Sequence, residues 1–174
     1  MWRVVALVLC AFLALGCGST HAGAGAQPPE THRALTPGEQ FLDFARGRGD
    51  ISPVVDGPVE LFMGGVFVKT IAADRASDRR AWQGCPAGRG YAARSCPISA
   101  LEPFADYRGR VEVTDRAPHH PCAHPRPLPG RLSAYHRVTL TPAASLDCTS
   151  YFAAQLLVDP HGRIVAVNLV LAEP

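Results

Sequence analysis

The sequence YFAAQLLVDPHGRIVAVNLVL, residues 151–171, decides the fold of this 174-residue chain. Residues 151–158 and 164–171 are two apolar runs, and the turn between them contains Asp, Pro, His and Gly. Turns of this composition join neighbouring strands, and runs that are apolar on both faces are typical of strands covered on both sides. The stretch therefore predicts a central β-hairpin with helices against at least one of its faces.

Regular alternation along the second run assigns its side chains to two faces of the sheet. One face receives Val165, Val167, Leu169 and Leu171, and the other receives Ile164, Ala166 and Val170. Because both sets are apolar, both faces are expected to be buried.

A second hairpin is predicted upstream, where Gly64 and Gly65 separate residues 59–63 from residues 66–71. A two-residue glycine turn between β-branched and aromatic runs is a strong hairpin signal. A regular register pairs Met63 with Val66, Phe62 with Phe67, Leu61 with Val68, and Glu60 with Lys69. The aromatic pair and the opposite charges are favourable cross-strand neighbours.

Short elements surround the two hairpins. Thr36, Pro37 and Glu39 match the capping-box start of a helix. The other predicted elements are polar helical turns at 74–82 with Trp82 buried, a short helix at 99–107 interrupted by Pro103, and half-buried strands at 110–114 and 135–141. We therefore predict one α+β domain with a mostly antiparallel five- or six-stranded sheet, a few short helices and two disulfides.

Residues 1–16 have the organisation of an export signal. Arg3 precedes the apolar run 4–15, which is too short for the roughly 20 residues of a membrane-spanning helix. The tetrapeptide ALGC, residues 14–17, resembles the lipobox of bacterial lipoproteins, and the resemblance covers this N-terminal segment only. In that family the signal is cut before the cysteine, whose thiol carries lipid. The resemblance implies that Cys17 anchors the protein to the extracytoplasmic face of the cell membrane.

The expected organisation has three parts. They are a signal peptide (1–16), a lipidated cysteine with a flexible tether (17–35), and a globular domain (36–174). The tether is inferred because residues 18–35 are rich in Gly, Ala, Ser, Thr and Pro and show no apolar period. The alternative is cleavage at an Ala-Gly-Ala motif within residues 22–26, which would release a soluble secreted protein.

Four cysteines remain once Cys10 leaves with the signal and Cys17 carries lipid. An even number of cysteines in an exported domain predicts two disulfides, for which three connectivities exist. The sequential pairing, Cys85–Cys96 and Cys122–Cys148, is expected because it closes short loops. The Cys-x-x-Cys spacing of redox-active pairs is absent, so both bonds are expected to be structural.

The densest polar cluster is PHHPCAHP, residues 118–125. His119, His120 and His124 surround Cys122, and imidazole and thiolate are ligands of copper and zinc. If Cys122 is in a disulfide, three histidines remain on an irregular loop, and metal binding there would be weak. The alternative is a proline-stiffened surface loop without a metal.

The order of the four cysteines, a tight first loop and a longer second one, resembles that of the subtilisin-inhibitor proteins of actinobacteria. In that family the protease-binding loop follows the third cysteine. The resemblance places such a loop at residues 123–126. It implies protease inhibition as an alternative function.

Composition and motifs narrow the classes of function. The formal net charge is +2 and no basic run exists, so nucleic acid is not an expected partner. Signature motifs of hydrolases, metalloproteases and nucleotide-binding enzymes are absent, so we predict neither catalysis nor a cofactor. The leading hypothesis is a non-catalytic binding or assembly module of the cell envelope, attached to the membrane through Cys17 and working with an unidentified envelope partner.

Overall fold

The computed structural model describes residues 35–87 and 96–172. They form an α+β fold with a six-stranded sheet, a two-stranded ribbon and two short helices. The helices are α1 (Pro37–Ala45) and α2 (Glu102–Asp106). The strands are β1 (Val59–Met63), β2 (Val66–Ile71), β3 (Gln83–Gly84), β4 (Ile98–Ser99), β5 (Val111–Thr114), β6 (His136–Pro142), β7 (Phe152–Val158) and β8 (Ile164–Leu171).

The main sheet has the strand order β2-β1-β8-β7-β6-β5. Its neighbouring strands are antiparallel except β1 and β8, which run parallel. The predicted α+β fold with a mostly antiparallel sheet is confirmed. The β7–β8 hairpin lies at the centre, and every residue of β7 is buried, as its apolar composition predicted.

Helix α1 begins with the predicted capping box. The backbone N–H of Thr36 donates to the Glu39 carboxylate at 2.8 Å, and the N–H of Glu39 donates to the Thr36 hydroxyl at 3.3 Å. Pro37 occupies the first turn, where its missing N–H costs no hydrogen bond. The buried face of the helix, which includes Phe41 and Phe44, belongs to the main hydrophobic core on the front face of the sheet.

Aromatic rings join the helices to the front face. The ring centroid of Phe41 lies 5.7 Å from that of Trp82 and 6.2 Å from that of Phe104. Phe104 in turn lies 5.0 Å from Phe152 of β7, and all three contacts are edge-to-face. Trp82 is fully buried, as expected, and its indole N–H donates to the carbonyl of Ala76 at 2.7 Å. Edge-to-face pairs add roughly 0.5–1.5 kcal/mol each beyond area burial.

The back face of the sheet is covered by the crossing segment, residues 115–135, which connects β5 to β6. Leu132 of this segment shares an apolar cluster with Phe62 of β1. Cys122 borders a second cluster that contains Tyr151, next to the start of β7. The crossing segment, which is mostly irregular, therefore covers the back face of the sheet, as the helices cover the front face.

The predicted register of the β1–β2 hairpin is correct only near its turn. Met63 pairs with Val66 and Phe62 pairs with Phe67, but Leu61 pairs with Lys69 and Glu60 pairs with Thr70. A bulge leaves Val68 without a partner in β1. The Val68 side chain lies against Gly84 of the ribbon, where an added Cβ atom would come within 2.3 Å of it. The extra residue of a β-bulge interrupts the regular pairing of the strand.

A second bulge corrects the predicted faces of β8. Leu157 pairs with Ala166 and Val158 pairs with Ile164, so Val165 is the additional residue. Because a shift of one residue exchanges the faces, Ile164 lies in the front core and Val165 packs with the back-face cluster. The prediction for these two residues was wrong, and that for Ala166 was correct.

The smaller elements largely match their predictions. The turns expected at 74–82 are 3-10 turns at Ala73–Arg75 and Arg79–Trp82. Pro103 does not interrupt α2 but lies in its first turn, where proline is tolerated. Within the part of the chain that the structure describes, no helix has the length and apolarity needed to cross a membrane.

The glycine turn of the β1–β2 hairpin yields a prediction. Gly64 and Gly65 both have positive φ, +57° and +80°, but only at Gly65 would a Cβ atom come within 2.1 Å of the Arg126 carbonyl oxygen. Gly64→Ala should lower the free energy of unfolding by about 1–2 kcal/mol through backbone strain alone. Gly65→Ala should lower it by more, since the crossing segment must also move. Urea unfolding of both variants measures the difference, and equal losses would contradict the contact.

Candidate functional site

A cavity of about 400 Å³ lies on the back face at the β5–β6 edge of the sheet. It is enclosed by these two strands, by the beginning of the crossing segment and by the loop of residues 142–146. Its lining carries four aliphatic hydroxyl groups, which belong to Thr114, Thr139, Thr141 and Ser145. We call it the back-face cavity.

The polar floor of the back-face cavity follows from strand alternation. Leu140 is fully buried in the front core, so its neighbours Thr139 and Thr141 lie on the back face. The antiparallel register places Thr114 opposite Thr139 and Glu112 opposite Thr141. Polar residues at alternate positions of two paired strands therefore line the same cavity.

Both disulfides have the sequential pairing that the sequence predicted. The Cys85–Cys96 bond closes the loop of the β3–β4 ribbon. The Cys122–Cys148 bond, with Cα atoms 5.4 Å apart, ties the crossing segment to the loop that precedes β7. This second bond stands beside the back-face cavity, because His120 and Leu146, each two residues from one of its cysteines, line the cavity.

The loop that carries Cys148 is shaped by Asp147. Its carboxylate accepts hydrogen bonds from the backbone N–H groups of Ser150 at 2.8 Å and Thr149 at 3.0 Å, and from the Thr149 hydroxyl at 2.9 Å. Hydrogen bonds from Ser150 and Thr149 hold the pKa of this carboxyl below its ordinary value. The turn therefore fixes the approach of the chain to Cys148.

His120 connects the two sides of the disulfide. One ring nitrogen, Nε2, lies 3.1 Å from the carbonyl oxygen of Leu146, and the other, Nδ1, accepts a hydrogen bond from the backbone N–H of Cys122 at 3.2 Å. A carbonyl only accepts and a backbone N–H only donates, so these two contacts fit the tautomer that carries its proton on Nε2. The ring also stacks on Tyr151, with centroids 4.1 Å apart and planes 17° from parallel.

Two hydroxyl groups in the lining of the cavity are buried without a hydrogen-bond partner among the described residues. They belong to Thr139, which is 1% exposed, and Tyr151, which is 8% exposed. Burial also raises the pKa of the Tyr151 hydroxyl, because it disfavours the charged phenolate. Each unpartnered hydroxyl costs roughly 1–3 kcal/mol, so the fold retains two costly groups among the residues that line one cavity.

The three histidines predicted as metal ligands do not form one group. His119 and His124 are exposed, and neither belongs to a convergent set of potential ligands within the described ranges. The set that does converge there consists of His120 with Cys122 and Cys148, whose ligand atoms all lie within 4.8 Å of one another. The arrangement that could hold a metal is therefore the histidine beside the disulfide.

Residues 123–126, where the inhibitor resemblance places a protease-binding loop, contact the β1–β2 turn through Arg126. The backbone N–H of Arg126 donates to the carbonyl of Gly64 at 2.9 Å. Its carbonyl oxygen lies so close to Gly65 that a Cβ atom there would be at 2.1 Å. The backbone of Arg126 is therefore engaged within the domain.

Two other cavities differ from the back-face cavity in the state of their polar groups. One, of about 490 Å³, contains two ion pairs: Arg131 contacts Glu60 at 2.6 Å, and Arg163 contacts Asp56. The other, of about 650 Å³, lies at the start of α1 and includes the partly exposed Val113. A further cavity, of about 410 Å³, shares Tyr151 with the back-face cavity but not Thr139. We therefore select the back-face cavity as the candidate site, since its lining includes both of the buried hydroxyls that lack a partner among the described residues.

Sequence reasoning missed Thr139 and Tyr151. The alternation VTLT at residues 138–141 shows that two threonines share a face of β6. It does not show what covers that face, because the covering residues come from the crossing segment and the loop 142–146. The sequence predicted His120 as one of three metal ligands. It did not predict that His120 contacts both Leu146 and Cys122, on the two sides of the disulfide.

No protein-family model, no curated protein and no solved structure matches the chain.

His119 and His120 are adjacent in sequence and provide a matched test of the contacts that His120 makes. His120→Ala removes the contact to Leu146, the hydrogen bond from Cys122 and the stacking on Tyr151, and should lower the free energy of unfolding by about 2 kcal/mol. His119→Ala changes an exposed side chain and should alter it by less than about 0.5 kcal/mol. Guanidinium unfolding of the two variants decides the matter; a comparable loss in both would show that His120 has no special structural role.

Proposed function

We propose that the protein is a lipid-anchored binding module of the cell envelope whose back-face cavity takes a small neutral ligand with several hydroxyl groups. The observation that carries this proposal is the presence of two buried, unpartnered hydroxyls, on Thr139 and Tyr151, in the lining of one cavity. A ligand that supplies the missing partners offsets the roughly 1–3 kcal/mol that each unpaired group costs the free protein. The hydroxyls of Thr139 and Tyr151 therefore favour a polar ligand in the cavity.

The chemistry of the lining selects among polar ligands. Glu112 and Arg116 contribute one negative and one positive charge, so their fixed charges cancel. The hydroxyls of Thr114, Thr141 and Ser145 can both donate and accept hydrogen bonds. A ligand whose own hydroxyls also donate and accept can pair with all three, which is the chemistry of a sugar or another polyol. The volume is at the lower end of the range for small-ligand pockets.

Binding requires a local adjustment of the cavity wall. The two unpartnered oxygens are covered by neighbouring atoms, so a ligand reaches them only after a rotation of the Thr139 side chain or a small displacement of the Tyr151 ring. Rotamer changes of this size are common on binding. The disulfide and His120 hold the surrounding chain, which limits the adjustment to side chains.

Anchoring at Cys17 is the second part of the proposal. Two disulfides support an extracytoplasmic location, since such bonds persist in oxidising compartments. The lipobox-like residues 14–17 then supply the attachment, and two acyl chains suffice for stable membrane binding. The flexible composition of residues 18–35 would let the domain reach a ligand or an envelope partner away from the lipid surface.

The proposal contains no catalytic step. Of the described groups whose pKa is clearly shifted, Asp50, Asp78 and Asp147 are exposed carboxylates stabilised by hydrogen bonds. Tyr151 is the one member of this set that lines the back-face cavity, and its shift comes from burial. Asp50, Asp78 and Asp147 lie outside the lining, so the cavity does not combine a lowered with a raised pKa as acid–base catalysis does.

Sugar titrations test the ligand. D-glucose, N-acetyl-D-glucosamine and trehalose serve as probes, and at least one should shift the backbone amide NMR signals of Thr114, Thr139 and Thr141. Thr139→Val and Tyr151→Phe should each weaken that binding by about 2- to 12-fold, the equivalent of one hydrogen bond. The same variants should leave the unfolding free energy unchanged or raise it, because each removes an unpartnered hydroxyl.

The control is Thr70→Val, which removes an exposed strand hydroxyl outside the cavity and should change neither binding nor stability. Three results would contradict the proposal. They are no shifts in these residues with any of the three probes, tighter binding of glycine or inorganic phosphate than of the sugars, and a loss of stability in Thr139→Val that indicates a structural role for its hydroxyl.

The anchor is tested by the mass and location of the mature protein. Intact mass spectrometry should show a chain that starts at Cys17 and carries acyl chains, and the protein should fractionate with membranes. Cys17→Ala should abolish both properties, whereas Cys10→Ala, which changes the other N-terminal cysteine, should preserve them. An unmodified native N-terminus at Gly25 or Gln27 would rule out the anchor.

A further inference from the structure

We propose that Cys122 and Cys148, once reduced, form with His120 a binding site for a thiophilic d10 metal ion, Cu⁺ or Zn²⁺. This metal site differs in chemistry from the back-face cavity, and it exists only in the dithiol state of the protein. The inference goes beyond the proposed function and does not depend on it.

The positions of the ligand atoms carry the proposal. The two sulfurs and a ring nitrogen of His120 all lie within 4.8 Å of one another. Metal–sulfur bonds of about 2.3 Å and metal–nitrogen bonds of about 2.0 Å place the ligand atoms of a trigonal or tetrahedral ion roughly 3.5–4 Å apart. After reduction the sulfurs separate from bonding distance, so a small movement of the three side chains is enough to reach this geometry.

The hydrogen bonds of His120 provide an independent argument. Its Nε2–H donates to the carbonyl of Leu146 and leaves the lone pair of Nδ1 on the side of Cys122. Metal-bound histidines almost always donate their other N–H to a carbonyl or carboxylate, which fixes the tautomer and the orientation of the ring. The oxidised protein thus already holds His120 in the tautomer and with the outer contact that a metal ligand needs, and the metal would replace the N–H of Cys122 as the partner of Nδ1.

The reaction that opens the site is thiol–disulfide exchange with a dithiol reductant. The reductant transfers two electrons and two protons to the Cys122–Cys148 bond, which becomes two thiols, while the reductant closes its own disulfide. The metal ion then binds the two thiolates and the imidazole, and the two thiol protons pass to solvent. Cys122, Cys148 and His120 are all partly exposed, so reductant and metal have access.

The metal would restore the link that reduction removes. The disulfide joins the crossing segment to the loop before β7 across 26 residues of sequence. His120 and Cys122 come from the first of these segments and Cys148 from the second, so a bound ion joins the same two segments. The Cys85–Cys96 bond offers a comparison, because the described residues give it no third ligand.

Cysteine reactivity in the purified protein tests the site. The protein is reduced with a phosphine under anaerobic conditions and titrated separately with Zn²⁺ and with Cu⁺, and alkylation of each cysteine by iodoacetamide is measured by peptide mass spectrometry. One equivalent of either metal should protect Cys122 and Cys148 and leave Cys85 and Cys96 reactive. The second pair is an internal control in the same molecule. The metal that protects at the lower free concentration is the preferred ion.

Variants separate this site from the histidine loop. His120→Ala should weaken metal binding by at least about 100-fold, since even outer contacts of a metal ligand are worth roughly 10- to 100-fold. His119→Ala and His124→Ala should leave the affinity unchanged. Circular dichroism follows the fold throughout. If the reduced protein loses structure, one equivalent of metal should restore it in the wild type and not in His120→Ala.

Four outcomes would overturn the proposal. They are the absence of protection by both metals, equal protection of the two cysteine pairs, unchanged affinity in His120→Ala, and a reduced, unfolded protein that metal does not restore. Loss of binding in His119→Ala and His124→Ala together with retention in His120→Ala would assign the metal to the exposed loop instead.

Discussion

The structure depends on one constraint: the central hairpin β7–β8 is apolar on both faces, so both faces have to be removed from water. At roughly 25 cal/mol per Å² of apolar surface, leaving either face exposed would cost more than a small domain can sustain. Helices α1 and α2 and their aromatic rings cover the front. On the back, the chain between β5 and β6 covers the sheet with little regular structure of its own. The candidate site lies where the beginning of this chain meets strands β5 and β6.

A covering segment with few internal backbone hydrogen bonds needs attachment points along its length. The Cys122–Cys148 bond and His120 hold its beginning, and the Arg126–Gly64 backbone hydrogen bond holds its middle. Beneath it, the buried amide of Asn168 donates to Gln155 at 2.8 Å, and its oxygen accepts from the N–H of Gly65 at 2.9 Å. These polar contacts are satisfied, whereas Thr139 and Tyr151 are not, and this contrast sets the back-face cavity apart.

Local patterns predicted the local structure well. The two hairpins, the capping box at Thr36 and the sequential disulfides depend on residues close in sequence, and all are present. The bulges at Val68 and Val165 were not predicted, because each depends on how a strand pairs with its neighbour across the sheet. The site was predicted only in part. His120, Cys122 and Cys148 were named, but the placement of Thr139 and Tyr151 in one cavity lining depends on the path of the crossing segment, which carries no periodic signal.

The parallel pairing of β1 with β8 has a consequence for how the molecule is made. Glu60 pairs with Ala166, so a strand synthesised early has to wait for one that is synthesised much later. Until then the β1–β2 hairpin stands alone, and isolated two-stranded hairpins are marginally stable in water. Contacts of such high order slow folding and leave strand edges open to other chains. For a chain with this topology, the interval between the emergence of β1 and that of β8 is the period of greatest exposure to aggregation and to proteases.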